Sequence, residues 1–171
     1  MGVLSRIPRK RWVVGPGSTP IMAAFTHLNP EGSRFSDGSF GVIYVSASIG
    51  TAIRETVFHR ERFLERTKEP PLQLQMRRYA TALNRRLFDV RGGFPALHDP
   101  GDYSESQRLG SKARAAGADG IVYDSVRDRG GQCAAAFWPD CVAPFVQATH
   151  YAYVWDGNSI TNVIELTQVA L

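Results

Sequence analysis

Three residues that could act together in chemistry lie in the first third of this 171-residue chain. One side chain can bind an anion, one can stack on a ring and one can stabilise a cation. Arg34 stands in a polar loop, Tyr44 in the apolar strand predicted at residues 41–46, and Glu55 in a helix predicted to begin near Ser48. Consecutive elements of this kind can converge on one cleft. A nucleotide with a cationic leaving group would need this set of side chains.

The same three residues also have a purely structural interpretation. Arg34 would then pair at the surface with Asp37 or Glu31, Tyr44 would belong to the core, and Glu55 would pair along the helix with His59. The spacing of the three residues alone does not exclude this interpretation.

A second stretch, residues 104–137, contains the run Gly-Ala-Asp-Gly-Ile-Val-Tyr, which leads to Ser125. Together the two stretches resemble the RES domain family, which is named for an arginine, a glutamate and a serine. The matching positions here are Arg34, Glu55 and Ser125, and the resemblance covers roughly residues 18–137. The family commonly has Trp directly after its arginine, whereas this chain has Phe35, which keeps an aromatic ring.

The resemblance implies an enzyme that consumes NAD+ by breaking its nicotinamide–ribose bond. It implies catalytic roles for Glu55 and Arg34 and NAD+ contacts for Arg34, Tyr44 and Ser125, although Ser125 could also simply end a strand. No Gly-rich phosphate loop is present, so NAD+ is expected as a substrate and not as a hydride carrier.

The acceptor of the ADP-ribose group stays open at this point. Inorganic phosphate as co-substrate would make the chain an NAD+ phosphorylase, which is our leading hypothesis. Water would make it an NAD+ glycohydrolase, and a protein side chain would make it an ADP-ribosyltransferase. An alternative of another class is an interaction module without catalytic activity.

The resemblance also implies partners. RES proteins resemble the toxin half of bacterial toxin–antitoxin pairs, so we expect a cognate helix-turn-helix antitoxin of the Xre class that covers the cleft. A homodimer is a further possibility. We expect no cofactor and no metal, because the four histidines show no ligand spacing.

Composition is ordinary for a globular protein, with 43% hydrophobic and 21% charged residues and a formal charge of +4. Two cysteines form neither a disulfide framework nor a metal motif, and Cys133 is expected to be a buried thiol. No apolar run is long enough for a membrane helix, and the basic N-terminus lacks the apolar part of a signal peptide. We therefore expect a cytoplasmic protein that binds neither membrane nor nucleic acid directly.

Predicted strands outnumber predicted helices and do not alternate strictly with them, which favours an α+β fold. We expect a single compact domain with a mixed sheet and flanking helices, and the resemblance implies similarity to ADP-ribosyltransferases. Residues 1–17 are predicted to form a loosely held basic arm and residues 18–171 the RES domain. Asp102 and Glu105 have capping-box spacing for a helix that runs to about Ala116.

Overall fold

Strand β5 lies near the middle of the larger of two sheets, and its sequence Gln-Cys-Ala-Ala-Ala explains its place there. In the computed structural model, which describes residues 4–167 and 169, all but the first residue of β5 are buried. Ala136 belongs to a core on one face of the sheet, and Cys133 and Ala135 belong to a core on the other. A strand covered on both faces is apolar throughout and does not alternate with polar residues.

The described residues form three α-helices and seven strands. The helices are α1 (Thr19–Thr26), α2 (Ile49–Thr67) and α3 (Ser104–Ala115). The strands are β1 (Ile43–Ser46), β2 (Leu72–Ala80), β3 (Phe88–Asp89), β4 (Gly120–Asp124), β5 (Gln132–Ala136), β6 (Val146–Trp155) and β7 (Ile160–Leu166). The first sheet is mixed, with the order β1-β5-β4-β3, and the second is antiparallel, with the order β2-β6-β7. The α+β prediction is confirmed, whereas the similarity to ADP-ribosyltransferases stays an expectation.

Helix α2 begins where the sequence predicted. The Ser48 hydroxyl caps it by accepting a hydrogen bond from the Thr51 backbone N–H at 3.1 Å. Its last residue, Thr67, is followed by Lys68 in the left-handed region, with φ of 53°. The helix carries Glu55 and crosses to the second sheet, where the hydroxyls of Thr56 and Tyr153 lie 2.7 Å apart.

The capping box predicted for α3 is wrong. Tyr103 occupies the N-cap position, and the Asp102 carboxylate instead accepts a hydrogen bond from the Ser104 backbone N–H at 2.8 Å. Asp102 therefore shapes the turn that leads into the helix, as Asx residues commonly do. The helix ends at Ala115, close to the predicted end at Ala116.

The basic arm is held more firmly than its composition suggested. Ile7 is buried against α1 and the first sheet, and Arg11 donates to Asp119 at 2.6 Å and to Asp140 at 3.0 Å. The expectation of a loosely held arm is therefore wrong for these residues, because an apolar side chain and two carboxylates anchor them. Residues 1–3 of the arm and residues 168, 170 and 171 of the predicted domain lie outside the described residues, and the boundary at residue 17 stays a prediction.

The described residues were also compared with the requirements of a membrane-spanning helix and of a metal site. None of their helices is both long and apolar enough to cross a bilayer. Likewise, the described residues contain no group of three or more His, Cys, Asp or Glu side chains arranged to hold a metal ion. Both cysteines are buried free thiols, as predicted for Cys133.

Candidate active site

Arg34 lies at the tip of a tight turn in which Ser33 and Ser36 pair with each other. Its guanidinium donates through Nη1 to the carbonyl oxygens of Leu97 at 3.1 Å and Asp99 at 2.9 Å. Only 7% of the residue is exposed, and its Nη2 has no hydrogen-bond partner among the described residues. A buried donor left unpaired costs about 1–3 kcal/mol. A ligand oxygen that accepts a hydrogen bond from Nη2 would remove this cost, which favours binding of such a ligand.

The turn around Arg34 is fixed from two sides. The backbone N–H of Phe35 donates to the Tyr44 hydroxyl at 2.9 Å, and the Gln107 amide of α3 donates to the Ser33 carbonyl at 3.0 Å. Helix α3 approaches so closely that a Cβ on Gly110 would lie 2.0 Å from the Phe35 carbonyl oxygen. The guanidinium therefore has little freedom of position before a ligand arrives.

Tyr103 supplies an aromatic face beneath the guanidinium, whose carbon lies 4.4 Å from the ring centre. Arginine stacks favourably on such a ring, particularly where water is excluded. Because Tyr103 and Arg34 are far apart in sequence, the pattern of residues around Arg34 did not indicate this contact.

The hydroxyl of Tyr44 and the rest of its side chain lie in different environments. Its hydroxyl is enclosed between Ser33, at 2.8 Å, and the Phe35 N–H. Burial of this hydroxyl raises the pKa of Tyr44 to about 12. The residue as a whole is 37% exposed and lines the cleft described below, so part of it is accessible to a ligand.

Glu55 is held by Ser125, which donates its hydroxyl proton to Glu55 Oε1 at 2.6 Å. The same oxygen of Ser125 accepts from the backbone N–H groups of Arg127 at 3.2 Å and Asp128 at 3.0 Å. A hydroxyl has one proton to donate and two lone pairs that accept. Ser125 is therefore fully occupied, and the direct contact with NAD+ predicted for it would need one of these bonds to break.

Two further residues of this region were not among the predicted site residues. His59 lies one turn after Glu55 on α2 and lines the same cleft. Desolvation lowers the pKa of His59, and the nearby Glu55 charge offsets this only in part. Arg127 stacks on Phe58 of α2, with its guanidinium carbon 3.4 Å from the ring centre, and donates to the Pro100 carbonyl.

Arg34, Tyr44 and Glu55 line one cleft of about 1890 Å³, which α2 and β2 also border. Its volume exceeds the common range for a drug-sized ligand and is sufficient for a dinucleotide. Arginines outnumber carboxylates among its lining residues, so the cleft attracts anions. Ser125 is absent from the lining and reaches the cleft through Glu55.

The carboxylates considered as surface partners of Arg34 have other contacts. Glu31 pairs with Arg66 at 2.6 Å, and Asp37 accepts from the Ser39 hydroxyl at 2.6 Å. The structure thus brings Arg34, Tyr44, Glu55 and Ser125 into one region, and burial and directed hydrogen bonds distinguish them from solvated surface groups. Their roles toward a substrate stay predictions.

Comparison with known proteins adds two findings. A family model described as the RES domain matches residues 3–156. The chain is also 37% identical over 142 residues to the uncharacterized protein y4oC of Sinorhizobium fredii (strain NBRC 101917 / NGR234), an alignment that covers 82% of this chain. The aligned part spans only 59% of the length of that relative.

Proposed function

This chain belongs to the RES domain family, and we propose that it breaks the bond between nicotinamide and ribose in NAD+, with inorganic phosphate as the acceptor. At the level of the family, membership supports a toxin-like function related to NAD and an enzymatic activity on it. The observation that carries the proposal is the Glu55 carboxylate, fixed by Ser125 at 2.6 Å, in one cleft with the buried guanidinium of Arg34.

Glu55 acts on the sugar in this proposal. The nicotinamide ring of NAD+ is cationic and leaves as a neutral molecule, so the electron pair of the broken bond moves to the ring nitrogen and no acid is needed. Positive charge builds up on the ribose, and a fixed carboxylate stabilises that charge. Ser125 keeps one carboxylate oxygen in place while the other remains available to face the sugar.

Arg34 binds the diphosphate in this proposal. Its Nη2 is buried and has no partner among the described residues, and a phosphate oxygen would complete its hydrogen bonding. Because Leu97, Asp99 and Tyr103 already fix the rest of the guanidinium, little side-chain freedom is lost on binding. The Tyr44 ring then receives the nicotinamide cation.

Among the three acceptors, phosphate is the one whose attack needs no further catalytic group from these residues. A phosphate dianion is already a nucleophile, so its oxygen bonds to the ribose carbon as the bond to nicotinamide breaks. The products are nicotinamide and ADP-ribose with a phosphate on that carbon.

Hydrolysis is the second candidate, and His59 is the observation that favours it. Water must lose a proton when it attacks, and the imidazole of His59, whose pKa desolvation lowers, can accept that proton in its neutral form. His59 lines the cleft one turn from Glu55, which is a suitable place for such a base.

The test is incubation of the purified chain with NAD+ in buffers with and without phosphate, followed by product mass determination. We expect free nicotinamide and phosphorylated ADP-ribose in the buffer with phosphate, and little turnover in the buffer without it. Unmodified ADP-ribose at saturating phosphate would instead establish hydrolysis. ADP-ribose attached to a protein would establish transfer, and intact NAD+ with a folded protein would leave the interaction module as the remaining hypothesis.

A further inference from the structure

A second group of arginines lines the cleft where α2 meets the second sheet. It consists of Arg60 on α2 and of Arg77 and Arg78 on β2, and all three are exposed. The reaction proposed above uses none of them.

Contacts between α2 and the second sheet place Arg60 on this side. The hydroxyls of Thr56 and Tyr153 join helix and sheet at 2.7 Å, and Arg60 follows Thr56 by four residues, which is one turn further on the same face. Burial raises the pKa of Tyr153, and the charge of Arg60 partly offsets that rise, as expected of a cation close to the tyrosine.

The end of β2 brings Arg77 and Arg78 to the same side. Met76 lies opposite Tyr151, and the register of β2 and β6 then shifts between Arg77 and Tyr79, so strict alternation ends at these two arginines. Such irregularities re-aim side chains, and both arginines line the cleft together with Tyr151 and Tyr153. The three arginines therefore border the part of the cleft that α2 and the second sheet form.

No carboxylate in the part of the chain that the structure describes pairs with this group. Among the described residues, Arg60, Arg77 and Arg78 form no ion pair, whereas Arg66 and Arg91 of the same cleft pair with Glu31 and Asp89. Three like charges in one wall repel one another, and a bound dianion would remove that repulsion.

Arg60 and Glu55 leave α2 in different directions. Arg60 follows Glu55 by five positions, which is roughly 140° around the helix at 3.6 residues per turn. Arg60 therefore faces the second sheet, which carries Arg77 and Arg78, and an anion bound by these arginines would lie away from the sugar carbon that Glu55 serves. A dinucleotide with its nicotinamide end at Glu55 has its adenosine end elsewhere in the cleft, and in NADP+ the adenosine ribose carries a 2′-phosphate.

We propose that Arg60, Arg77 and Arg78 form a phosphate-monoester subsite that receives the 2′-phosphate of NADP+. The enzyme then uses NADP+ at least as well as NAD+. This inference rests on the proposed function, since it assumes that the nicotinamide end lies at Glu55. Free inorganic phosphate is the other source of the same chemical group.

The experiment compares kcat/KM for NAD+ and NADP+ in the wild type, in Arg60→Ala, in the double variant Arg77→Ala/Arg78→Ala, and in Arg86→Ala. Arg86 is exposed and does not line the cleft, so it serves as the matched control. We expect kcat/KM for NADP+ to fall about tenfold or more in the cleft variants, the scale of a lost hydrogen bond to a charged group, with NAD+ hardly affected. Equal losses for both nucleotides, or a wild type that rejects NADP+ while it consumes NAD+, would overturn the proposal.

Two further measurements separate the remaining explanations. A phosphate titration at fixed NAD+ identifies free phosphate as the ligand if the variants raise only the KM for phosphate, and this outcome also overturns the NADP+ assignment. Calorimetric binding of both nucleotides needs no turnover, so it tests the subsite even if the proposed reaction fails. Tighter binding of NADP+ that is lost in the cleft variants supports the subsite, and equal affinities contradict it.

Discussion

Glu55 depends on its charge for the proposed chemistry but not for its position. In Glu55→Gln the amide oxygen still accepts the Ser125 proton, whereas the negative charge that faces the sugar disappears. We expect turnover to fall by about 10²-fold or more, the scale seen when a preorganised electrostatic partner is removed. Turnover and the melting temperature together measure this effect.

The matched control for this variant is Glu61→Gln on the same helix. Glu61 accepts from the Ile160 backbone N–H at 2.7 Å and does not line the large cleft. We expect it to leave turnover unchanged. A Glu55→Gln protein with a much lower melting temperature and nearly normal turnover would show that Glu55 is structural.

Tyr44 permits a test that separates its hydroxyl from its ring. Tyr44→Phe keeps the aromatic side for stacking but leaves the Phe35 N–H without its acceptor. We expect a loss of about 1–3 kcal/mol in the free energy of unfolding and a higher KM for NAD+, because the turn that carries Arg34 loosens. Denaturant unfolding and steady-state kinetics give the two quantities.

Tyr44→Leu is the companion variant, since it removes the ring as well. If nicotinamide stacks on the ring, Tyr44→Leu raises the KM for NAD+ clearly more than Tyr44→Phe does. Equal KM values for the two variants would show that the tyrosine only anchors the turn.

Single residues of the site could be predicted from the sequence where a local sequence pattern indicated them. Arg34 and Glu55 were found because their stretches resemble a family. By contrast, the bond between Ser125 and Glu55 joins residues 70 positions apart, and that between Arg34 and Leu97 spans 63 positions. Tyr103 was missed for the same reason, because nothing near Arg34 in sequence indicates which aromatic ring will lie beneath it.

Between secondary-structure elements, Arg127 joins the two loops that support the site. Its own loop begins at Ser125, which holds Glu55, and its guanidinium donates to Pro100 in the loop that cradles Arg34. We expect Arg127→Met to raise the KM for NAD+ by about tenfold while kcat changes less, because the Asp99 carbonyl loses its support. Arg127→Lys should recover part of the loss, since lysine can still reach a carbonyl.

Arg129→Met provides the control, because Arg129 is exposed on the same loop. This variant should behave as the wild type. If Arg127→Met and Arg129→Met gave the same kinetics, the contact with Pro100 would have no influence on the site.

The elements themselves were predictable where the local signal was strong. The Ser48 cap was predicted from a short pattern, and the structure confirms it. The alternation of apolar and polar residues in Leu72-Gln-Leu-Gln-Met-Arg is likewise typical of the strand that forms there. The Asp102 capping box failed because its spacing also fits a turn one residue before the helix. Phe63 of α2 is apolar and still 45% exposed, because that part of the helix borders the open cleft.

Across the whole chain, the arrangement of the two sheets was beyond sequence reasoning. The cleft exists because α2 leaves the first sheet, which it follows in sequence, and reaches Tyr153 of the second. The anchored arm is a similar case, since Arg11 finds its carboxylates 108 and 129 positions away. A basic stretch in sequence does not reveal whether acidic residues from distant segments will meet it.

An open, arginine-rich cleft that consumes NAD+ would harm the cell that makes it, which leads to a prediction about a partner. We expect a cognate Xre-class antitoxin that covers the cleft holding Arg34 and Glu55, and the basic lining would speed capture of an acidic segment of that partner. Nucleic acid is not expected to bind the chain directly, and a homodimer stays a further hypothesis.

Expression of the chain in bacteria tests this prediction. We expect the wild type to arrest growth, Glu55→Gln to relieve the arrest, and Glu61→Gln to arrest growth like the wild type, because only the first variant removes the charge at the sugar. Co-expression of the neighbouring open reading frame should restore growth, and its product should co-purify with this chain. Normal growth at high expression, together with NAD+ consumption by the purified protein, would contradict the toxin hypothesis and leave a metabolic role for the same reaction.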